Sequence, residues 1–210
     1  MRAGRIALAT DYSNRGLEIM RVLVSSAPEN AFQRGIFAAV LVVRGTILTA
    51  ANQPERAITE IEHGRSIYES LYRAGTTNHL NVAASNVKLG EAAAKARNDQ
   101  KAADYFHQAL TIVEPLISTE PADLDAQYAA ADAYSGLGDL SMREAQQAGL
   151  TIERRKSAWT EARSWYLQSL NAWRRIEHPN HTAPNSFQVG DPAIVAKELK
   201  LTEAGLVSLH

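Results

Sequence analysis

The sequence predicts an all-α fold, and three observations support that class. Apolar residues recur at helical spacing rather than in strand-like alternation, as at Tyr105, Ala109 and Val113. Prolines, glycines and asparagines cluster between such stretches and divide the chain into pieces of helix length. Aromatic residues make up only 7% of the chain, a composition that does not favour a β-rich fold.

The predicted helices follow one another with short breaks between them. The breaks fall at residues 27–30, 52–54, 75–78, 98–99, 119–123 and 178–181. Near the end, Asp191 is a favourable helix N-cap and Pro192 suits the first helical position. We therefore predict an irregular connector over 179–192 and a C-terminal capping helix over 193–210.

Composition excludes several classes of function. The 210 residues carry a formal net charge of -1, so no global field attracts nucleic acid. There is no cysteine, which excludes disulfides, a thiol nucleophile and zinc thiolates. The longest apolar run, 36–43, is far shorter than the roughly 20 residues that a membrane span needs. We expect no nucleic-acid partner and no membrane segment within this chain.

A repeat of 45 residues relates two parts of the chain. The residue pairs at this offset are Gly45 and Gly90, Ala57 and Ala102, Ile61 and Phe106, and Gly64 and Ala109. A glycine inside a helix costs about 1 kcal/mol relative to alanine, so its recurrence needs a compensating gain. We predict that each glycine lets two helices of a hairpin approach closely, with Ala57 or Ala102 on the facing helix.

A third copy begins at Gly138 and resumes at Ala162 and Tyr166, with 12 extra residues near 145–157. A partial copy that has only a second helix opens the chain. The predicted boundaries are 1–30 for the partial copy, then about 31–77, 78–122 and 123–178, so that the array spans 1–178. Such hairpins leave apolar faces at the ends of an array, and we expect self-association through the uncapped N-terminal helix.

These residues resemble the tetratricopeptide repeat (TPR), whose consensus reads W-x2-L-G-x2-Y, then A-x3-F, then P. Leu89-Gly90 with Ala102 and Phe106 carries the resemblance best. The chain departs from the pattern at Arg44, which stands where the consensus has leucine, and its repeats exceed the usual ~34 residues. The resemblance implies a right-handed α-α superhelix of helical hairpins.

A narrower resemblance concerns the last repeat. The stretch 159–170, followed by Gly190-Asp191-Pro192, looks like the C-terminal helical-repeat region of certain bacterial serine/threonine kinases. The glycine-rich loop, the H-R-D catalytic loop and the D-F-G motif of a kinase are absent from this sequence. This resemblance implies a sensory or regulatory region whose catalytic domain is not in the chain.

No residue pattern supports catalysis. His178 and His181 lie three residues apart in a predicted loop, without the further ligands that a zinc site needs. Asp132 and Asp139 are predicted to share one face of a helix, where they suit a solvated or partner-binding surface. Trp165 lies off the apolar stripe of its helix and is predicted to be partly exposed. We assign no catalytic residue, metal or cofactor, and we expect that the chain is not an enzyme.

In TPR arrays the first helix of each hairpin lines a concave groove. The residues that this implies for groove binding are Val42, Thr46, Val87, Glu91, Lys95, Asp132, Ser135, Asp139 and Arg143. Val87 and Ser135 occupy key positions of the family's clamp for acidic peptide C-termini, which argues against that partner. Part of the groove could instead be filled by the C-terminal helix.

The function that this reading favours is a non-catalytic scaffold that binds a protein or peptide in the groove. Two alternatives stay open, a kinase regulatory region and a small-ligand-binding or enzymatic helical domain. The expected location is the cytoplasm, or the periplasm or exterior if the chain is part of a membrane-anchored protein.

Overall fold

The structure, a computed structural model, describes residues 2–77, 79–120, 123–176 and 190–209. The described residues form α-helices joined by turns and contain no strand, which confirms the all-α class. The helices are α1 (Arg2–Ser26), α2 (Ala31–Ala50), α3 (Pro54–Arg73), α4 (Leu80–Lys95), α5 (Asp99–Thr119), α6 (Leu124–Ala145), α7 (Ile152–Arg174) and α8 (Pro192–Val207). The superhelical arrangement of the hairpins stays a prediction.

Helix starts follow the local sequence signals. Asn30 and Asp123 are N-caps whose side chains accept hydrogen bonds from the backbone N–H three residues later. Asp191 caps α8 by accepting from the N–H of Ala193, and Pro192 occupies the first helical position. The predicted start of the last helix is thus confirmed. Residues 179–189 of the predicted connector lie outside the described residues.

The chain divides into two compact units, Met1–Tyr105 and Phe106–His210. In the first unit α1 packs on α2, α2 on α3, and α3 on α4. In the second unit α6 packs on α7, and α7 on α8. Helices that follow one another in sequence and pack together through short connections form helical hairpins.

The hairpin α2–α3 has the close packing that the sequence predicts. Gly45 lies against α3, and a Cβ at this position would overlap Cγ1 of Ile61 and lie 3.0 Å from the carbonyl oxygen of Ala57. The missing side chain therefore allows the two backbones to approach, which offsets the low helix propensity of glycine.

The hairpin α6–α7 repeats this packing in the second unit. A Cβ at Gly138 would lie 2.6 Å from Cε1 of Tyr166. Ala162, one turn earlier in α7, is fully buried. Most of the extra residues of this copy extend the start of α7, because Ala162 lies ten residues after Ile152 whereas Ala57 lies three after Pro54. The hairpins α2–α3 and α6–α7 thus pack in the same way, with a glycine of the first helix against a large side chain of the second.

Helix α2 also has the length and composition of a membrane-spanning helix. Its inward residues Phe37, Leu41 and Leu48 are buried by the rest of the protein, as expected of a core helix, which satisfies the same criteria. The expectation that the chain has no membrane segment stays a prediction.

Candidate functional site

The candidate groove residues of the first unit differ in their access to solvent. Val42 and Val87 are buried, so they contribute packing rather than a solvent-facing side chain. Thr46 is half-buried, and its hydroxyl donates to the carbonyl oxygen of Val42 at 3.0 Å. Glu91 is half-buried as well, whereas Lys95 is exposed at the last turn of α4.

The charge of Glu91 is already engaged within its helix. The Nζ of Lys88 lies 2.7 Å from Oε1 of Glu91, and the lysine side chain is only 5% exposed. A largely buried ammonium needs a compensating carboxylate, because removing one partner of a buried pair is strongly destabilising. Glu91 thus has a structural role, and Lys95 is the candidate in this unit with a solvent-exposed charge.

The two candidate carboxylates of the second unit are also engaged. Asp132 accepts a hydrogen bond from the backbone N–H of Gly190 at 2.9 Å, just before α8. Asp139 is exposed as a residue, yet its carboxylate accepts from the Tyr166 hydroxyl at 2.6 Å. Burial of the carboxylate raises the pKa of Asp139, and the Tyr166 hydrogen bond works in the opposite direction. Both carboxylates are therefore engaged in hydrogen bonds within the second unit.

The C-terminal helix α8 covers part of the hairpin α6–α7. Val195 packs into a cluster with Ala162 and Tyr166. Gly205 approaches the indole of Trp159 so closely that a Cβ there would lie 2.6 Å from Cε2 of that ring. Ser135 and Arg143 remain half-buried on α6. In this unit the residues predicted to line a groove are thus partly taken up by intramolecular contacts.

A polar cluster in the first unit joins α3 to α4 and to the start of α5. The Tyr105 hydroxyl donates to Oε1 of Glu62 at 2.6 Å, and Nζ of Lys101 lies 3.4 Å from the same oxygen. On the neighbouring turn, Nη1 of Arg65 donates to Oδ1 of Asn86 at 3.0 Å. No pattern in the sequence indicates these residues, because their pairing depends on contacts between helices that are distant in sequence.

Acid should weaken the first unit through Glu62. Its burial raises the pKa of this carboxyl, but the Tyr105 hydrogen bond and the charges of Lys101 and Arg65 outweigh that effect and lower the pKa below 4.5. The unfolded chain then binds more protons, so this contribution to stability exists above about pH 4.5 and is lost as the pH falls through the folded-state pKa.

The Glu62→Gln variant tests this dependence. The side chain of Glu62 is 42% exposed, so we expect the acid-dependent contribution to be at most about 1 kcal/mol. Urea unfolding measured between about pH 6 and about pH 3 should show a smaller loss of stability for the variant than for the wild-type chain. Equal losses would show that Glu62 is not stabilised in its charged form.

Aromatic side chains form a second cluster in the second unit. Trp165 stacks on Tyr134 with ring centroids 6.0 Å apart, and His107 meets its edge at 5.9 Å. The half-burial of Trp165 confirms the prediction of partial exposure. The Tyr134 hydroxyl donates to Oε1 of Glu114 at 2.7 Å, and burial together with this bond raises the pKa of Tyr134.

A small polar cavity lies beside this cluster. Its volume is about 120 Å³, and its polar lining comes from Gln127, Tyr134, Gln168, Asn171 and Arg175. Gln127 is fully buried, while Asn171 and Arg175 reach solvent. Because one water occupies roughly 30 Å³ of liquid, this volume corresponds to several waters or to one small polar molecule.

Among the described residues, histidine, aspartate and glutamate form no group of three or more that could hold a metal ion. The two neighbouring loop histidines, His178 and His181, lie outside the described residues. His63 is exposed and meets the edge of Phe37 with ring centroids 5.7 Å apart.

Comparisons with known protein families, with curated proteins and with solved structures find no match to this chain. The TPR resemblance therefore stays a prediction from the residues themselves.

Proposed function

We propose that this chain is a non-catalytic, TPR-like scaffold that binds a protein or peptide segment along the first helices of its hairpins. The observation that carries the proposal is the repeated packing of Gly45 on Ile61 and of Gly138 on Tyr166. Arrays of such hairpins share their apolar faces with neighbours and present extended surfaces, which suit the binding of peptide segments.

The side chains available on those helices favour a mixed, mainly polar contact. Thr46, Glu91 and Lys95 reach solvent to different degrees in the first unit, as do Ser135 and Arg143 in the second. Since Glu91 is paired with Lys88, the charge most available to a ligand among the predicted groove residues of the first unit is that of Lys95. We infer that a bound peptide places an acidic residue beside Lys95.

Selection from a random-peptide display library tests the proposed function. We expect the wild-type chain to enrich related sequences that contain an acidic residue, and the Lys95→Glu variant to replace that preference with a basic one. Lys95 is exposed in α4, so this substitution should leave the fold intact. Glu91→Lys is unsuitable as a test because it would replace the carboxylate bound by the buried Lys88 with a second positive charge.

Lys156→Glu is a matched control, because Lys156 is an exposed lysine of α7 outside the predicted groove. This variant should select the same sequences as the wild-type chain. The proposal fails if the wild-type chain enriches no peptide above background. The groove assignment fails if Lys95→Glu and Lys156→Glu select the same sequences.

A further inference from the structure

Helix α1 has two apolar faces, of which the first unit covers only one. Leu17 and Met20 are buried in a cluster with Phe37 and Leu41 of α2. A second set of apolar residues on α1 is between 55% and 70% exposed, and its members are Leu8, Tyr12, Ile19 and Val22. At 100° per residue, this set lies on the side of the helix opposite Leu17 and Met20.

The spacing of the exposed set is that of a helix-packing seam. Together with Arg15, its members are separated by four, three, four and three residues, at positions 8, 12, 15, 19 and 22. Alternation of three and four residues is the heptad pattern by which two helices interlock along their length. The occupant of this face is therefore expected to be another helix.

Charge identifies the occupant and its direction. A parallel pair of α1 helices would place Arg15 against Arg15 in the middle of the seam, which is unfavourable. An antiparallel pair centred between Tyr12 and Arg15 instead places Leu8 opposite Ile19 of the second copy. The same pairing sets the Arg15 guanidinium against the Tyr12 ring, where a cation–π contact is favourable.

The salt bridge of Arg15 fits this arrangement. Its Nη2 lies 3.0 Å from Oδ2 of Asp11, one turn earlier on the same helix. This bond is compatible with the guanidinium plane facing a ring, and it partly neutralises the charge that the seam would cover. The central part of the exposed face, from Leu8 to Ile19, is thus complementary to itself under a two-fold axis.

We propose that two copies of this chain associate through an antiparallel pairing of their α1 helices. This pairing specifies the direction and the residues of the N-terminal self-association that the repeat pattern predicts, and it does not depend on the groove. A contact made by one helix from each copy is smaller than the roughly 800 Å² per partner of a standard interface. The dimer is therefore expected to dissociate in the micromolar range.

Sedimentation equilibrium of the full chain from about 1 to about 100 µM tests the association. The wild-type chain should pass from one copy to two over this range, whereas Ile19→Glu should remain a single copy at all concentrations. Ile194→Glu is the control, because Ile194 is a 58% exposed isoleucine on α8, and this variant should dimerise like the wild-type chain. The proposal would be overturned if the wild-type chain stayed monomeric over this range. It would also be overturned if Ile194→Glu lost dimer formation to the same extent as Ile19→Glu.

Engineered disulfides test the direction, since the chain contains no cysteine of its own. An equimolar mixture of Leu8→Cys and Ile19→Cys should form a crosslinked dimer on mild oxidation. Neither variant should crosslink alone, because two Leu8 positions would lie about 16 Å apart along the pair. Crosslinking of each variant with itself would show a parallel pair and overturn the antiparallel assignment.

Discussion

The Gly45→Ala variant is expected to be less stable than the wild-type chain by about 1–3 kcal/mol, although alanine is the better helix former. The added methyl group would overlap Cγ1 of Ile61 and lie 2.9 Å from Cδ1 of that side chain. It would also lie 3.0 Å from the backbone oxygen of Ala57, which cannot move without shifting α3. Equilibrium unfolding in urea measures the difference.

Gly35→Ala is the matched control on the same helix. A Cβ at Gly35 meets only Cδ1 of Leu71, at the ordinary contact distance of 3.8 Å. This variant should be more stable than the wild-type chain by up to about 1 kcal/mol, because alanine lowers the conformational entropy of the unfolded chain. If Gly45→Ala were stabilising as well, α2 and α3 would not be packed in the proposed register.

The Glu60→Leu variant is expected to lose about 2 kcal/mol of stability. Glu60 of α3 forms an ion pair with Arg44 of α2, and their side chains are only 22% and 11% exposed. Leucine would leave the Arg44 guanidinium without its carboxylate in a largely desolvated place. The cost should stay below the 3–5 kcal/mol of a fully buried pair because water still reaches Glu60.

The double variant Arg44→Leu with Glu60→Leu should recover most of this loss. Replacement of both charges by apolar side chains removes the desolvation penalty together with the attraction, and is often close to neutral. Unfolding experiments on the two single variants and the double variant give the coupling energy. A double variant less stable than Glu60→Leu would contradict this view of the pair.

The helices and the register of the α2–α3 and α6–α7 hairpins could be predicted because they depend on local signals. Asn30, Asp123 and Asp191 mark helix starts, and the glycine-to-alanine intervals mark the facing helices. Helix caps and spacing are properties of a few neighbouring residues, so they can be recognised in a single sequence.

The state of the candidate site residues could not be predicted in the same way. Asp132 and Asp139 have the spacing of a shared helix face, but their partners Gly190 and Tyr166 come from distant parts of the chain. A helix face indicates which residues lie together, not what covers them. Contacts with residues far away in the sequence decide which parts of the face are covered.

Arg44 is a second case in which the contacts of a residue could not be predicted from the sequence. It departs from the TPR consensus leucine, and the sequence offers no reason for a cation at this position. The structure places Glu60 of α3 and Asn14 of α1 beside it, with Nε donating to Oδ1 of Asn14 at 3.1 Å. The guanidinium of Arg44 therefore finds polar partners on both neighbouring helices.

The central claim, that the hairpins α2–α3 and α6–α7 are each fixed by a glycine facing a large side chain, is tested most directly by Gly45→Ala in two backgrounds. Ile61→Ala alone should cost about 2–5 kcal/mol because it leaves a cavity. In that background, Gly45→Ala should cost clearly less than in the wild-type chain, because the overlap with the Ile61 side chain is gone and only the 3.0 Å approach to the Ala57 oxygen remains. If Gly45→Ala destabilised both backgrounds equally, Gly45 and Ile61 would not be in contact, and the proposed repeat would be wrong.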